Sequence, residues 1–234
     1  MISFIIPAHN EERLLGRTLT ALHAAGRAVG QPYEVIVVDD GSTDATAAMA
    51  RAHSARVVTV QFRQIGRTRN AGAQASSGET LIFVDADTVV PSGTVRATMN
   101  ALRRGVIGGG ATVQFDGRLP AYARLLVPVA LVALRAGRLA AGCYFFCTRA
   151  AFDAAGGFDD HMFAAEEIAL SRRLKRMGPF VILRETVTTS GRKVRAHSGW
   201  EVMRLFGAFA RRGTSIVRSR DHLGIWYGDR RDDP

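Results

Sequence analysis

Thr80-Leu81-Ile82-Phe83-Val84-Asp85-Ala86-Asp87 runs as a short apolar strand and stops on two carboxylates one residue apart. Short continuous apolar runs bounded by turns are the mark of strands covered on both faces. The same rhythm extends toward the N-terminus. Ile2 to Ile6 is strand-like, Asn10 is placed to cap a helix with Glu11 and Glu12 in its first turn, and Leu15, Leu19 and Leu22 share one face. Glu34 to Val38 is a second strand, followed by the turn Asp39-Asp40-Gly41-Ser42 and a helix from about Thr43 to His53. Arg56 to Val60 and a helix from Gly66 to Ser76 complete the approach to Thr80. Alternating strands and helices predict an α/β fold with a Rossmann-like, mostly parallel central sheet flanked by helices. Carboxylates then sit at the carboxyl ends of two strands, where open α/β sheets bind ligands.

Beyond Asp87 the rhythm loosens. Pro91 suits the first turn of a helix, Gly108 to Phe115 is strand-like, and a hydrophobic helix covers about Pro120 to Ala136. A strand from Cys143 to Cys147, a turn at Gly156-Gly157, a helix from about Ala164 to Met177 and a strand from Val181 to Thr188 follow. A basic polar loop, Ser190 to Ser198, leads to a last amphipathic helix with Trp200, Met203, Phe206 and Phe209 on one face. Without a repeat or a linker, residues 1–228 are expected to form one domain. It divides into 1–90, whose strand ends carry the carboxylates, and a smaller second part, 91–228, with 229–234 a frayed tail.

The 234 residues carry a net charge of +10, with Lys175 and Lys193 the only lysines among 31 cationic residues. That balance suits nucleic acid, an anionic membrane surface or a phosphorylated substrate. No RNA-binding aromatic motif is present, so nucleic acid is not an expected partner. Cys143 and Cys147 lie in an apolar stretch without the companions a zinc site needs and read as buried thiols. Met1 runs straight into a strand-like segment without a basic leader, which predicts a cytoplasmic protein. The longest apolar run, Leu125 to Leu134, contains Pro128. Ten helical residues rise about 15 Å against a bilayer core of about 30 Å, so it cannot span. Core packing is the first reading for this run and for the Trp200 helix. Their alternative is the lining of a substrate groove, or a peripheral contact at the inner membrane face with Arg124, Arg135, Arg138, Arg204, Arg211 and Arg212 at the headgroups.

The pair Asp85 and Asp87 offers hard oxygen ligands to Mg²⁺ or Mn²⁺, which complete their shells with phosphate oxygens and water. Alone, such a pair is weak evidence, because Asp is common in turns. It gains weight from Asp39-Asp40 at a second strand end and from Arg67 and Arg69 on the intervening helix, since carboxylates can read a base or ribose and Arg offers a fork to pyrophosphate.

Ser3-Phe4-Ile5-Ile6-Pro7-Ala8-His9-Asn10-Glu11-Glu12, Val37-Val38-Asp39-Asp40-Gly41-Ser42-Thr43-Asp44, Arg69-Asn70-Ala71-Gly72 and Phe83-Val84-Asp85-Ala86-Asp87 follow in order. Together with Gly156-Gly157-Phe158-Asp159 and Glu166-Glu167, they resemble the successive signatures of inverting family 2 glycosyltransferases of GT-A fold, over about residues 2–200. The resemblance implies transfer of a sugar from a nucleoside diphosphate sugar to a hydroxyl or phosphate oxygen with inversion and a divalent cation as cofactor. The acceptor stays unnamed, a polyprenyl phosphate or other lipid of the bacterial cell envelope among the candidates. It further implies that Pro7, Ala8, Asn10 and Glu12 flank the nucleoside pocket, with Asp39 nearby, Asp40 on the base and Arg69 close to the nucleotide. Asp85, with Ala86, would face the ribose or metal, and Asp87 would be the principal metal ligand. The later acidic motif of many relatives ends in a catalytic Asp. Here Glu166-Glu167 fills it, with Glu167 in the register of the base. Arg192, Lys193 and Arg195 would lie in a loop closing over the diphosphate, and His197 would complete the metal shell. Two other classes stand beside this reading. A sugar-phosphate nucleotidyltransferase would need a Gly-rich phosphate loop where Asn10-Glu11-Glu12 stands, and a non-catalytic basic binding module would tolerate loss of Asp87 and Glu167.

Overall fold

A computed structural model describes residues 1–196; His197, the expected Trp200 helix and the tail lie outside the described residues. β1 (Ile2–Ala8), α1 (Glu12–Val29), β2 (Tyr33–Asp40), α2 (Thr46–Ala52), β3 (Arg56–Val60), α3 (Ile65–Ala75) and β4 (Thr80–Val84) form the first half. β5 (Thr88–Val89), α4 (Ser92–Arg103), β6 (Gly108–Phe115), α5 (Ala121–Ala136), β7 (Tyr144–Thr148), α6 (Arg149–Ala154), α7 (Glu166–Met177), β8 (Phe180–Thr189) and α8 (Arg192–Arg195) follow.

The eight strands make one sheet in the order β3-β2-β1-β4-β7-β6-β8-β5. β1 pairs in parallel with both β2 and β4, and β2 with β3. β7 is antiparallel to β4 and β6, while β6 and β8 run parallel. The mostly parallel sheet expected from the sequence is present, and the departures are β7 and the two-residue β5, which is antiparallel to β8: an apolar run does not disclose strand direction. Because the chain winds outward from β1 to β3 and returns on the other side as β4, the winding reverses between β1 and β4. A crevice forms at such a switch point, beyond the carboxyl ends of the strands. His9 to Glu11 follow β1 there, and Asp85 to Asp87 follow β4.

The period of two distributes each strand between two cores. Phe4, Ile6, Val35 and Val37 pack with Leu15, Leu19 and Leu22 of α1. Ile5, Ile36, Val38, Leu81 and Phe83 pack on the other face with Phe145, Phe152, Phe158, Leu170 and Leu174. That second face receives α3 at close range because of Gly72. A Cβ there would lie 2.3 Å from Ile5 Cγ2 and 2.8 Å from Val38 Cγ2.

Three local expectations are corrected. Asn10 does not cap α1: its backbone is left-handed (φ 51°), a conformation Asn tolerates, and Glu11 holds the cap position. The hydrophobic helix α5 is not core, since Ala123 is its one buried residue. The basic stretch expected as a polar loop closes a helical turn, α8.

Gly72→Ala is expected to destabilise the chain by about 1–3 kcal/mol, the usual cost of overpacking. Urea unfolding of the two proteins measures it.

Candidate active site

The polar residues after β1 and β2 first bind one another. Asn10 Oδ1 accepts from Thr43 N (2.8 Å), and Asn10 N donates to Ser42 Oγ (3.0 Å). Glu12 Oε2 accepts from Ala45 N (2.9 Å), and Glu11 N donates to Thr46 Oγ1 (2.7 Å). Asp39, buried, accepts from Ser42 N (3.1 Å). Asp40, expected on the base, has its buried carboxylate engaged by three backbone N–H groups, of Phe62, Arg63 and Gln64, and by the Thr68 hydroxyl. It thereby anchors the loop entering α3. Pro7 and Ala8 end β1 at the crevice.

Arg69 lies on α3, and 1% of its surface meets solvent. Its Nη1 donates to Glu166 Oε1 (2.5 Å), and its Nη2 to Asp85 Oδ1 (2.9 Å) and the Gly142 carbonyl (2.9 Å). Burial by itself would lower the guanidinium's pKa; the facing charges of Asp85, Glu166 and Glu167 outweigh that and raise it. Arg69 also lies 5.3 Å from the centre of the Phe158 ring. The neighbouring Asn70 clasps the same segment. Its Oδ1 accepts from Phe158 N (2.9 Å), while Nδ2 donates to Phe158 O (2.9 Å) and Asp160 Oδ1 (2.9 Å). The Arg69-Asn70 motif is thus the fastening for the Gly157-Phe158 turn and for α7.

α7 begins on Ala165, whose backbone is left-handed (φ 61°), a conformation that costs about 1–3 kcal/mol for a residue with a Cβ. The two carboxylates that follow are consecutive helical residues, about 100° apart around α7. Glu166 is buried on Arg69. Glu167 keeps some contact with solvent; its Oε1 would meet a Cβ at Gly142 at 3.3 Å, and glycine there leaves it room. Burial, then the charge of Glu166, pushes the Glu167 pKa up to about 8 against the pull of Arg69.

Asp87 has a different neighbourhood. Its Oδ1 accepts from Thr189 Oγ1 (3.2 Å), and Oδ2 pairs with Arg192 Nη2 (3.3 Å). The same Arg192 nitrogen reaches Glu11 Oε1 (2.5 Å), so α8 bridges the two strand ends at the switch point. Arg195 pairs with Asp116 at 3.4 Å. Lys193 belongs to the same turn, and Ala86 lies between the two aspartates. Sequence reasoning overlooked Glu11 and Asp116, whose partners are 181 and 79 residues away.

The donor set of Asp85 and Asp87 suits a hard divalent cation, which takes one or two carboxylates and completes its shell with phosphates and water. Among the described residues no group of three or more His, Cys, Asp or Glu is arranged to hold a metal ion. Ligands beyond these two carboxylates would then be phosphate oxygens, water or residues outside the described ones.

A match to the family described as Glycosyl transferase family 2 spans residues 3–170. The chain belongs to that family. It shares 30% identity over 140 residues with an undecaprenyl-phosphate 4-deoxy-4-formamido-L-arabinose transferase of Pseudomonas fluorescens, covering 56% of this chain and 41% of the relative. The chain therefore spans less than half the length of that relative. Staphylococcus aureus TarS 1–349 in complex with UDP-GlcNAc has a TM-score of 0.65 at 18% identity, with 96% of this chain and 78% of TarS covered. The mannosyltransferase PcManGT of Pyrobaculum calidifontis, solved with GDP-Man and Mn²⁺, has a TM-score of 0.63 at 20% identity, covering 98% and 65%. These likenesses establish the GT-A fold, and the family match makes this a glycosyltransferase domain in preference to a nucleotidyltransferase or a binding module.

Glu167 makes stability depend on pH. Between an unfolded value of about 4.3 and a folded value of about 8, the native state binds more protons than the unfolded one. Its stability contribution is therefore full below the lower value, falls as pH rises, and levels off above the upper one. Glu167→Gln should remove that slope, read by urea unfolding at several pH values between 5 and 9.

Proposed function

We propose that this chain transfers a sugar from a nucleoside diphosphate donor to an acceptor oxygen with inversion, with a divalent cation held through Asp87 and Asp85. The observation that carries the reading is the double pairing of Arg69. One buried guanidinium ties Asp85, on the donor side, to Glu166, next to the acceptor-side Glu167. When bound, the cation would neutralise charge on the departing diphosphate.

Glu167 fits the base. It is the member of the pair that keeps solvent contact, whereas Glu166 is committed to Arg69. In the reaction the acceptor oxygen bonds to the anomeric carbon as the bond from that carbon to the diphosphate oxygen breaks. A hydroxyl acceptor passes its proton to Glu167, whereas a phosphate oxygen attacks as the anion with no proton to give; in both cases the electron pair leaves with the nucleoside diphosphate. Attack opposite the leaving group inverts the anomeric centre. Arg192, with Lys193 and Arg195 in the same turn, supplies positive charge on the leaving side. To do so Arg192 must share or release Asp87 and Glu11. A polyprenyl phosphate is the acceptor class supported by the Pseudomonas fluorescens relative, an undecaprenyl-phosphate transferase.

Donor binding is read first by thermal shift with UDP-, GDP- and dTDP-sugars, with and without Mn²⁺. One metal-dependent donor should raise the melting temperature. In calorimetry, Asp87→Ala should weaken that donor and abolish its Mn²⁺ dependence. Unchanged affinity and metal dependence would remove Asp87 from the site.

With a hydroxyl acceptor, Glu167→Gln should retain donor affinity and lower kcat by about 10² or more. A base must be unprotonated to act, so wild-type kcat/KM should rise with pH toward about 8 and then plateau. Full turnover in the Gln variant would end the base assignment.

A further inference from the structure

α5 is apolar on nearly every side, yet Ala123 is its one buried residue. Leu125 is 72% exposed, Val129 65% and Val132 67%, with Leu126 beside them at 44%. These four are the large exposed hydrophobics of the described residues apart from Met1 and Met177. Single exposed apolar residues are ordinary, whereas a contiguous patch marks an interaction surface. The spacing is regular: Leu125, Val129, Val132 and Ala136 recur at four, three and four, one stripe of a helix. Leu131 and Leu134 are half-buried, and Leu131 packs against the core that contains Ala111 and Val113 of β6.

Charge selects the partner. No Asp or Glu occurs between Asp116 and Asp153. Arg118, Arg124, Arg135 and Arg138 in that interval are exposed, and Arg135 is braced by hydrogen bonds to Thr112 Oγ1 and the Leu183 carbonyl. A second copy would bring the same cations face to face. An anionic bilayer would receive both the stripe and its rim. The 16-residue helix is about 24 Å long, short of a hydrocarbon core of about 30 Å, so it would lie in the interface.

We infer that the exposed face of α5, with its flanking arginines, docks on an anionic lipid bilayer. The Tyr122 hydroxyl donates to the Val194 carbonyl of α8 (2.8 Å), and α8 carries the Arg192 that meets Asp87. Docking would therefore set the proposed site beside the lipid surface. That consequence, delivery of a lipid acceptor, rests on the function proposed above; the docking itself does not.

The test is co-sedimentation of the full chain with phosphatidylcholine vesicles and with vesicles containing about 30% phosphatidylglycerol, whose negative surface attracts basic segments. Binding is expected to the anionic vesicles and to be at least tenfold weaker to the neutral ones. Val129→Asp should weaken it tenfold or more, and Arg124→Glu should weaken it and flatten its salt dependence. A polarity-sensitive dye on Val129→Cys should shift to the blue only when anionic vesicles are added, a readout that also serves if the Asp variant fails to fold. Equal binding by wild type and folded Val129→Asp would overturn the inference. So would a dye already buried without vesicles, which would assign the face to a second copy or to residues 197–234; sedimentation velocity separates those two. Metal-dependent donor binding without vesicle binding would sink the docking alone, and vesicle binding without any donor response would sink the proposed function alone.

Discussion

The site depends on one buried cation. Arg69 is out of water, and moving an ion there costs several kcal/mol unless good geometry and additional hydrogen bonds repay it. Two carboxylates and a carbonyl do so here, and each comes from a different part of the chain: Asp85 after β4, Glu166 at the start of α7, and Gly142 before β7. The planar fork of Arg is needed to reach all three at once, since an ammonium offers a point charge on a single stem. Its Nε has no acceptor among the described residues, so the hydrogen bonding rests on the two terminal nitrogens. The same guanidinium explains the neighbouring carboxylates. Glu166 has a cation in contact and stays committed, while Glu167 has burial and a negative neighbour to contend with and binds its proton more tightly.

Much of this arrangement was legible in the sequence, because each element of the first half carries its own local signal. Apolar runs, a leucine face at the helical period and carboxylates at strand ends specify β1 to β4 and the crevice between β1 and β4. Glycines in the motifs were harder to interpret: the requirement at Gly72 is set by Ile5 and Val38 on other elements. Asp40 shows a second limit. A carboxylate that anchors a loop through backbone N–H groups and one that reads a base occupy the same place in a sequence. Pairs such as Arg192 with Glu11 are invisible to any local window, because they are created by the closing of the sheet. Asn10, read as a cap from residue type alone, instead ties the β1 loop to the β2 loop.

α5 failed to follow its sequence reading for a related reason. Hydrophobic periodicity measures how much apolar surface a helix has, and says nothing of what covers it. In β6 and β7 the complementary surface is present and the residues are buried; on the outer side of α5 no described element supplies it. A membrane, unlike a core, leaves no complementary pattern elsewhere in the chain, and the cations at the rim are the one local clue.

The two aspartates after β4 each have an arginine, and the pairs are not equivalent. Arg69 is 2% exposed in its side chain and Arg192 is 19%. Removing the first cation from its partners would strand charge in the interior, where isolated charges are most costly. The second is the more exposed cation, though also held by Glu11 at 2.5 Å, and its contact with Asp87 is the longer of the two, 3.3 Å against 2.9 Å. An incoming cation and diphosphate would therefore meet less resistance at Asp87 than at Asp85. Arg192, once displaced, would carry its charge toward the phosphates while the Arg69 pairings hold Asp85 and Glu166 in place. This difference in burial, and not the spacing of the two carboxylates, is the physical argument for Asp87 as the principal ligand.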